Sequence, residues 1–137
     1  MVCIQCGGPT RVTNSRAQRR HNQVWRRRRC RRCGALFSTV ESAEYGLAWT
    51  VRGKNGRLQP FSRDKLLLSL HRSCAHRMAP LKDAAGLTDT VINKLREYVE
   101  AGSLSSQTIT EVAQVALQRF DKAASVHYVA FHPTPKR

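Results

Sequence analysis

Acidic residues are scarce in this sequence. Nine Asp and Glu stand against 24 Lys and Arg in 137 residues, a formal net charge of +15. That balance points to a polyanionic partner, nucleic acid or an anionic membrane surface, without implying sequence-specific binding. Long apolar runs are missing as well: no stretch approaches the roughly 20 residues needed to span a bilayer, and no signal-peptide core follows Met1. The expectation is a cytoplasmic protein with no membrane partner. Also absent are a glycine-rich Walker loop, a carboxylate pair, a Ser/His/Asp set and an acidic Mg²⁺ cluster. Their absence removes the motif-borne hydrolase and ATPase readings, so no catalytic residues are assigned and an enzyme is not expected.

Cysteine is sparse but patterned. Four of the five fall in two Cys-x-x-Cys knuckles, Cys3 with Cys6 and Cys30 with Cys33. Two such tight turns can aim four sulfurs at one tetrahedral Zn²⁺. The intervening 23 residues exceed the commonest ribbon spacing, but closure entropy grows slowly with loop length. With all four positions filled by protein, the zinc is structural rather than catalytic. An odd cysteine count in a reducing compartment argues against disulfides. Cys74, at helical spacing from Leu67 and Leu70, reads as core packing.

Charge divides the chain. Residues 1–45 hold ten arginines and only Glu41 and Glu44. The head, residues 1–42, has turn signals at Gly7-Gly8-Pro9 and Gly34, with short β-prone stretches at 11–13, 23–27 and 36–40. It is too small to bury an adequate core, so the metal must supply one. Arg26, Arg27, Arg28 and Arg29 lead into the second knuckle, Arg31 and Arg32 lie inside it, and Arg16, Arg19 and Arg20 precede it. Arginine forks suit phosphates and guanine edges. In a strand, alternate arginines face opposite sides, so about half of the run can meet one DNA surface. Trp25 reads as a small-core aromatic and His21 as a weak ligand candidate.

The second module covers residues 47–132. Residues 48–52 and 57–61 read as a β-hairpin turning at Asn55-Gly56. Ser62 or Asp64 then caps a helix carrying Leu66, Leu67, Leu70 and Cys74, ended by Pro80. A second helix is expected over 88–101, with Val91, Ile92, Leu95 and Val99 inward and Gly102 as its stop. A third starts at Thr108, with Glu111 completing a capping box, and buries Ile109, Val112, Ala113, Ala116, Leu117 and Phe120. A fourth, over 122–131, is apolar at Val126, Val129 and Ala130. His71 and His76 read as surface residues, and residues 133–137 as a disordered tail. The fold class is α+β.

At this point the sequence resembles a family. Cys3-Ile4-Gln5-Cys6, Val12-Thr13-Asn14-Ser15-Arg16, residues 24–33, Phe37-Ser38-Thr39-Val40-Glu41 and Arg57-Leu58-Gln59-Pro60-Phe61-Ser62-Arg63-Asp64-Lys65-Leu66 together are similar to the NrdR family of bacterial repressors of ribonucleotide reductase genes. The likeness extends to about residue 132. It implies a zinc ribbon that binds double-stranded operator DNA, joined to an ATP-cone that binds the effectors ATP and dATP. It also implies a homo-oligomer whose assembly follows the nucleotide, with dATP, together with ATP, favouring the DNA-binding form. Carried over residue by residue, the nucleotide positions are Lys65 and Ser62, then Ser106 and Thr110, with Arg52 or Lys54 as the hairpin cation. The family's first hairpin lysine is Gly53 here, its proline before Ser106 is Ser105, and its Asp-Ser-Arg is Asn14-Ser15-Arg16. Pro133 replaces an arginine, and the longer acidic C-terminal helix is missing.

Without the resemblance, Lys54 and Lys65 read equally as surface lysines, and Ser106 and Thr110 as a helix cap with its neighbour. The competing class is a constitutive zinc-ribbon nucleic-acid binder whose helical module only oligomerises. Such a protein would show steep salt dependence and no nucleotide response.

Overall fold

Strands joined by glycine turns build the first unit, Met1–Ala43. In the computed structural model, which describes residues 1–133, β1 (Thr10–Gln18), β2 (Gln23–Cys30) and β3 (Leu36–Ser42) form an antiparallel sheet in that order. Each strand runs beyond the expected stretch. The register sets Trp25 between Arg16 and Val40, Arg27 between Asn14 and Ser38, and Arg29 between Arg11 and Leu36. Among the described residues of this unit, only Cys3, Gly8 and Cys30 are buried. A sheet with so little apolar interior needs another source of stability.

The second unit runs from Glu44 onward. A helical turn, α1 (Tyr45–Ala48), precedes the hairpin of β4 (Thr50–Arg52) and β5 (Leu58–Pro60). The hairpin is as expected, while α1 has no sequence signal. A third strand, β6 (Ser103–Ser105), pairs with β4 in parallel, Leu104 opposite Val51, giving the order β5-β4-β6. Four helices follow the hairpin: α2 (Arg63–Ser73), α3 (Pro80–Leu95), α4 (Ser106–Phe120) and α5 (Lys122–Phe131). Ser62 caps α2, its Oγ accepting from the Lys65 N–H at 3.2 Å. Among the described residues no helix is long and apolar enough to cross a membrane.

Five expectations are corrected. Pro80 does not end α2, which stops at Ser73; it opens α3 at a first-turn position, where the missing N–H costs nothing. The second helix therefore covers 80–95 rather than 88–101, and Gly102, at φ +73°, sits in the turn before β6. The third helix begins at Ser106, not Thr108, because Ser105 is the cap: its Oγ accepts from the Thr108 N–H at 3.0 Å. On α5 the inward residues are Ala124, Ser125 and Tyr128, while Val126 is exposed. Phe120 is exposed too, with the Arg77 guanidinium 4.3 Å above its ring.

The core is otherwise the periodic set. Leu66, Leu70 and Cys74 of the α2 segment meet Val91, Ile92 and Leu95 of α3, Val112, Ala113 and Leu117 of α4, and Tyr128 of α5, with Phe61 and Leu104 closing the sheet side. Burial pushes the Cys74 thiol up from its ordinary value, as suits a packing residue. Residues 134–137, most of the tail expected to be disordered, lie outside the described residues.

Candidate metal centre, basic sheet and ligand cleft

Each knuckle folds back on itself through a glycine in the left-handed region, Gly7 at φ +68° and Gly34 at φ +73°, where other residues are strained. The Cys3 N–H donates to the Gly8 carbonyl and the Cys30 N–H to that of Ala35. Further N–H groups turn inward: that of Gln5 donates to Cys3 Sγ at 3.4 Å, and those of Arg32 and Cys33 to Cys30 Sγ at 3.3 and 3.4 Å. The four sulfurs lie within 4.8 Å of one another, Cys3 to Cys33 at 3.7 Å and Cys6 to Cys30 at 3.5 Å. A tetrahedron with Zn–S bonds of about 2.3 Å has edges of about 3.8 Å, so the cluster fits one zinc ion.

Electrostatics agree with that fit. The Cys33 N–H is the main influence drawing the Cys30 thiol down to about 6. The Ala35 N–H pulls Cys33 the same way, but the thiol of Cys6, burial and the thiol of Cys30 outweigh it and push Cys33 up to about 12. Four thiolates crowded together repel one another, and a divalent cation removes that penalty.

The arginines divide between the two faces of the sheet. Arg26 points to the face of Ser15 and Glu41, donating to them at 3.5 and 3.2 Å. Arg28, on the same face, donates to Thr39 Oγ1 at 3.3 Å and Thr10 Oγ1 at 3.4 Å. Both are half-buried, whereas Arg27 and Arg29 are exposed on the opposite face, as is Arg16. Trp25 shares that opposite face and is half-buried beside Arg16 and Val40. Arg31 is exposed in the second knuckle, and Arg32 reaches the Cys6 carbonyl at 3.5 Å.

In the second unit, a cleft of about 260 Å³ is lined by Ser62, Lys65, Ser106 and Thr110, four of the six residues assigned from sequence. The first turns of α2 and α4 both border it, and no carboxylate of the described residues lines it. Helix starts carry partial positive charge and unpaired N–H groups, so with Lys65 they make a setting suited to an anion. Arg52 lies elsewhere, beside Glu97, Tyr98 and Glu100. The reason is strand alternation: Val51 takes the cleft side of β4, and its neighbour must point away. Lys54 donates from Nζ to the Pro133 carbonyl at 3.2 Å, next to the cleft residue His132.

Several lining residues escaped the sequence reading. Tyr128 and His132 stack at 4.3 Å with an 18° interplanar angle, and His132 Nε2 meets Ser69 Oγ at 3.2 Å. Burial raises the Tyr128 hydroxyl above its ordinary value. Their signal was the four-residue spacing that places both on one face of α5, which the emphasis on Val126 and Val129 obscured. A larger hollow of about 470 Å³ lies between α3 and α4, against Val91, Val112 and Val115. It contains none of the six assigned residues, so size does not select it over the cleft.

Comparison with known proteins agrees with this geometry. Residues 1–41 match the family described as Transcriptional repressor NrdR-like, N-terminal domain, and residues 50–131 match the ATP cone domain. The chain is 35% identical over 132 residues to the transcriptional repressor NrdR of Symbiobacterium thermophilum, covering 96% of this chain and 87% of that protein. It is 32% identical to proteins of the same name from an Exiguobacterium species and Thermosipho melanesiensis, covering 96% of this chain and 84% of each. A transcriptional repressor has a regulatory role, not a catalytic one.

Proposed function

The chain belongs to the NrdR family of transcriptional repressors, and from that membership we propose a nucleotide-gated repressor of ribonucleotide reductase genes. The zinc ribbon binds operator DNA, and the ATP-cone takes ATP and dATP in the cleft beside Lys65. Nucleotide occupancy shifts the homo-oligomer between assemblies that space the ribbons differently on DNA. An effector acts in this way only through a difference in its affinity for the two assemblies. Zinc, when bound, supplies the cross-link that holds the two knuckles together. The protein works in the cytoplasm, at the nucleoid when bound to DNA.

One observation carries the nucleotide half: Ser62 with Lys65 and Ser106 with Thr110, two pairs far apart in sequence, border a single cleft lined by no carboxylate of the described residues. Isothermal titration of the zinc-loaded protein with dATP and ATP, beside light scattering for mass, tests it. Binding accompanied by a change in mass supports the reading, and no heat from a folded protein overturns it. A constitutive DNA binder is the second reading, favoured by Gly53 at the position of a hairpin lysine and by Arg52 lying away from the cleft.

A further inference from the structure

The arginine run lies on a three-stranded sheet, and the sheet sorts it. In an antiparallel ladder, residues directly opposite one another share a face. The β1-β2-β3 register therefore puts Arg11, Arg16, Trp25, Arg27 and Arg29 on one face, together with Asn14 from β1. Val12, Ser15, Arg26, Arg28, Thr39 and Glu41 occupy the other. The one-residue shift between Val12 and Asn14 keeps Arg11 and Arg16 on the same side, which strict alternation along β1 would not do.

The two sets of guanidiniums are in different states. Arg26 and Arg28 are half-buried and engaged: Arg26 bridges Ser15 and Glu41 across both flanking strands, and Arg28 bridges Thr39 and Thr10 in the same way. They tie the sheet together, in a unit whose buried residues are two cysteines and a glycine. Arg11, Arg16, Arg27 and Arg29 are exposed, with no side-chain hydrogen bond or ion pair to another described residue. Arginines left without partners in a row of like charge repel one another, and a polyanion relieves that repulsion.

Resting on the repressor reading above, we infer that the face carrying Arg11, Arg16, Arg27 and Arg29 is the surface that meets double-stranded DNA, and that Arg26 and Arg28 are structural ties. Alternate residues of a strand stand about 6.7 Å apart and neighbouring strands about 4.8 Å apart. Arg27 and Arg29 on β2 thus stand about 6.7 Å apart, with Arg11 and Arg16 about 4.8 Å to one side on β1, so that all four can meet one stretch of duplex. Trp25 stands directly opposite Arg16 on the same face.

Fluorescence anisotropy of a labelled mixed-sequence duplex, titrated with zinc-loaded full-length protein in the presence of dATP and ATP over a range of salt, tests the assignment. Each phosphate contact contributes about 0.9 to the log–log salt slope, so Arg27→Gln with Arg29→Gln should lower the slope by about 1.8. Arg11→Gln with Arg16→Gln should do the same, while Arg26→Gln with Arg28→Gln should keep the wild-type slope. An unchanged slope in both exposed-face pairs, with wild type still binding, overturns the face and leaves the repressor reading standing. A wild-type protein that ignores duplex DNA overturns both. If the Arg26/Arg28 variant fails to fold, the two exposed-face pairs decide alone.

Discussion

Lys65 and Gln59 meet at the rim of the cleft, the lysine Nζ donating to the glutamine Oε1 at 3.3 Å. Among the described residues no carboxylate lines the cleft to neutralise the ammonium, so it is available to a phosphate. Hydrogen bonds to charged groups contribute about 1.5–3 kcal/mol, so Lys65→Ala should weaken dATP and ATP binding by about 10- to 150-fold. Zinc content should not change, because the two sites belong to different units. Calorimetric titration with wild-type affinity would remove Lys65 from the site.

Gly53 lines the same cleft at the position of a hairpin lysine. A Cβ added there comes within 3.1 Å of Asn55 Oδ1, which holds the Arg57 N–H at 3.0 Å in an exposed turn and has to shift only slightly, and 3.6 Å of the Arg57 carbonyl. Gly53→Lys should therefore fold and should tighten ATP binding by about tenfold, the effect of about 1.4 kcal/mol from one new charged contact. Unaltered affinity in a folded variant would mean that the hairpin tip lies out of reach of the phosphates.

The metal and the cone should fail separately. None of the apolar cluster residues comes from the first unit, so its fold depends on the four sulfurs. Removing zinc with a chelator, or Cys30→Ser, should abolish DNA binding and lower the sheet signal in circular dichroism by the contribution of β1–β3, the second unit keeping its own sheet. The helical signal should persist. Loss of helix in parallel with zinc would contradict this division.

Ser105 shows how a local departure from a family pattern is absorbed. Its hydroxyl accepts the Thr108 N–H at 3.0 Å and also meets Thr108 Oγ1 at 2.8 Å. Ser105→Ala should cost about 1 kcal/mol, the usual loss for a helix cap. For a unit of this size, thermal unfolding should move down by about 4–8 °C. A shift below about 1 °C would show that the cap is dispensable.

Asp121 ties the connection between α2 and α3 to the α4–α5 corner. The Ala124 N–H, first, and then His76 at 3.0 Å and Arg77 at 2.9 Å hold its carboxyl well below the usual carboxylate range. A depressed folded value means that the stabilisation is complete above the unfolded value of about 4 and is lost as the pH falls below it. Wild type should thus be more stable than Asp121→Asn at neutral pH, with the difference closing below about pH 4. A constant difference in urea midpoint across that range would refute the assignment.

What the sequence disclosed follows the range of the interactions. The knuckles were readable because ligand spacing within each is set by one turn, and the division of arginines because strand alternation has period two. Val91, Ile92, Leu95 and Leu117 followed from helical periodicity. Pro80 misled because proline suits both the end of one helix and the first turn of the next. The strand Ser103–Ser105 escaped because it has one apolar residue, Leu104, and owes its existence to parallel pairing with Thr50–Arg52. The cleft was half legible: Ser62 and Lys65 lie in one contiguous motif, but Tyr128 and His132 reach it only through the packing of α5.

The central claim is that nucleotide controls DNA binding, and the direct measurement is operator affinity with and without nucleotide. A labelled duplex from upstream of a ribonucleotide reductase gene, titrated with zinc-loaded protein alone and then with dATP and ATP, reads the coupling. The account predicts tighter binding with nucleotide by about 5- to 150-fold, the span of typical allosteric coupling. Lys65→Ala should bind the duplex at the nucleotide-free level throughout. Equal affinity for the duplex with and without nucleotide would contradict the account and leave a constitutive DNA binder.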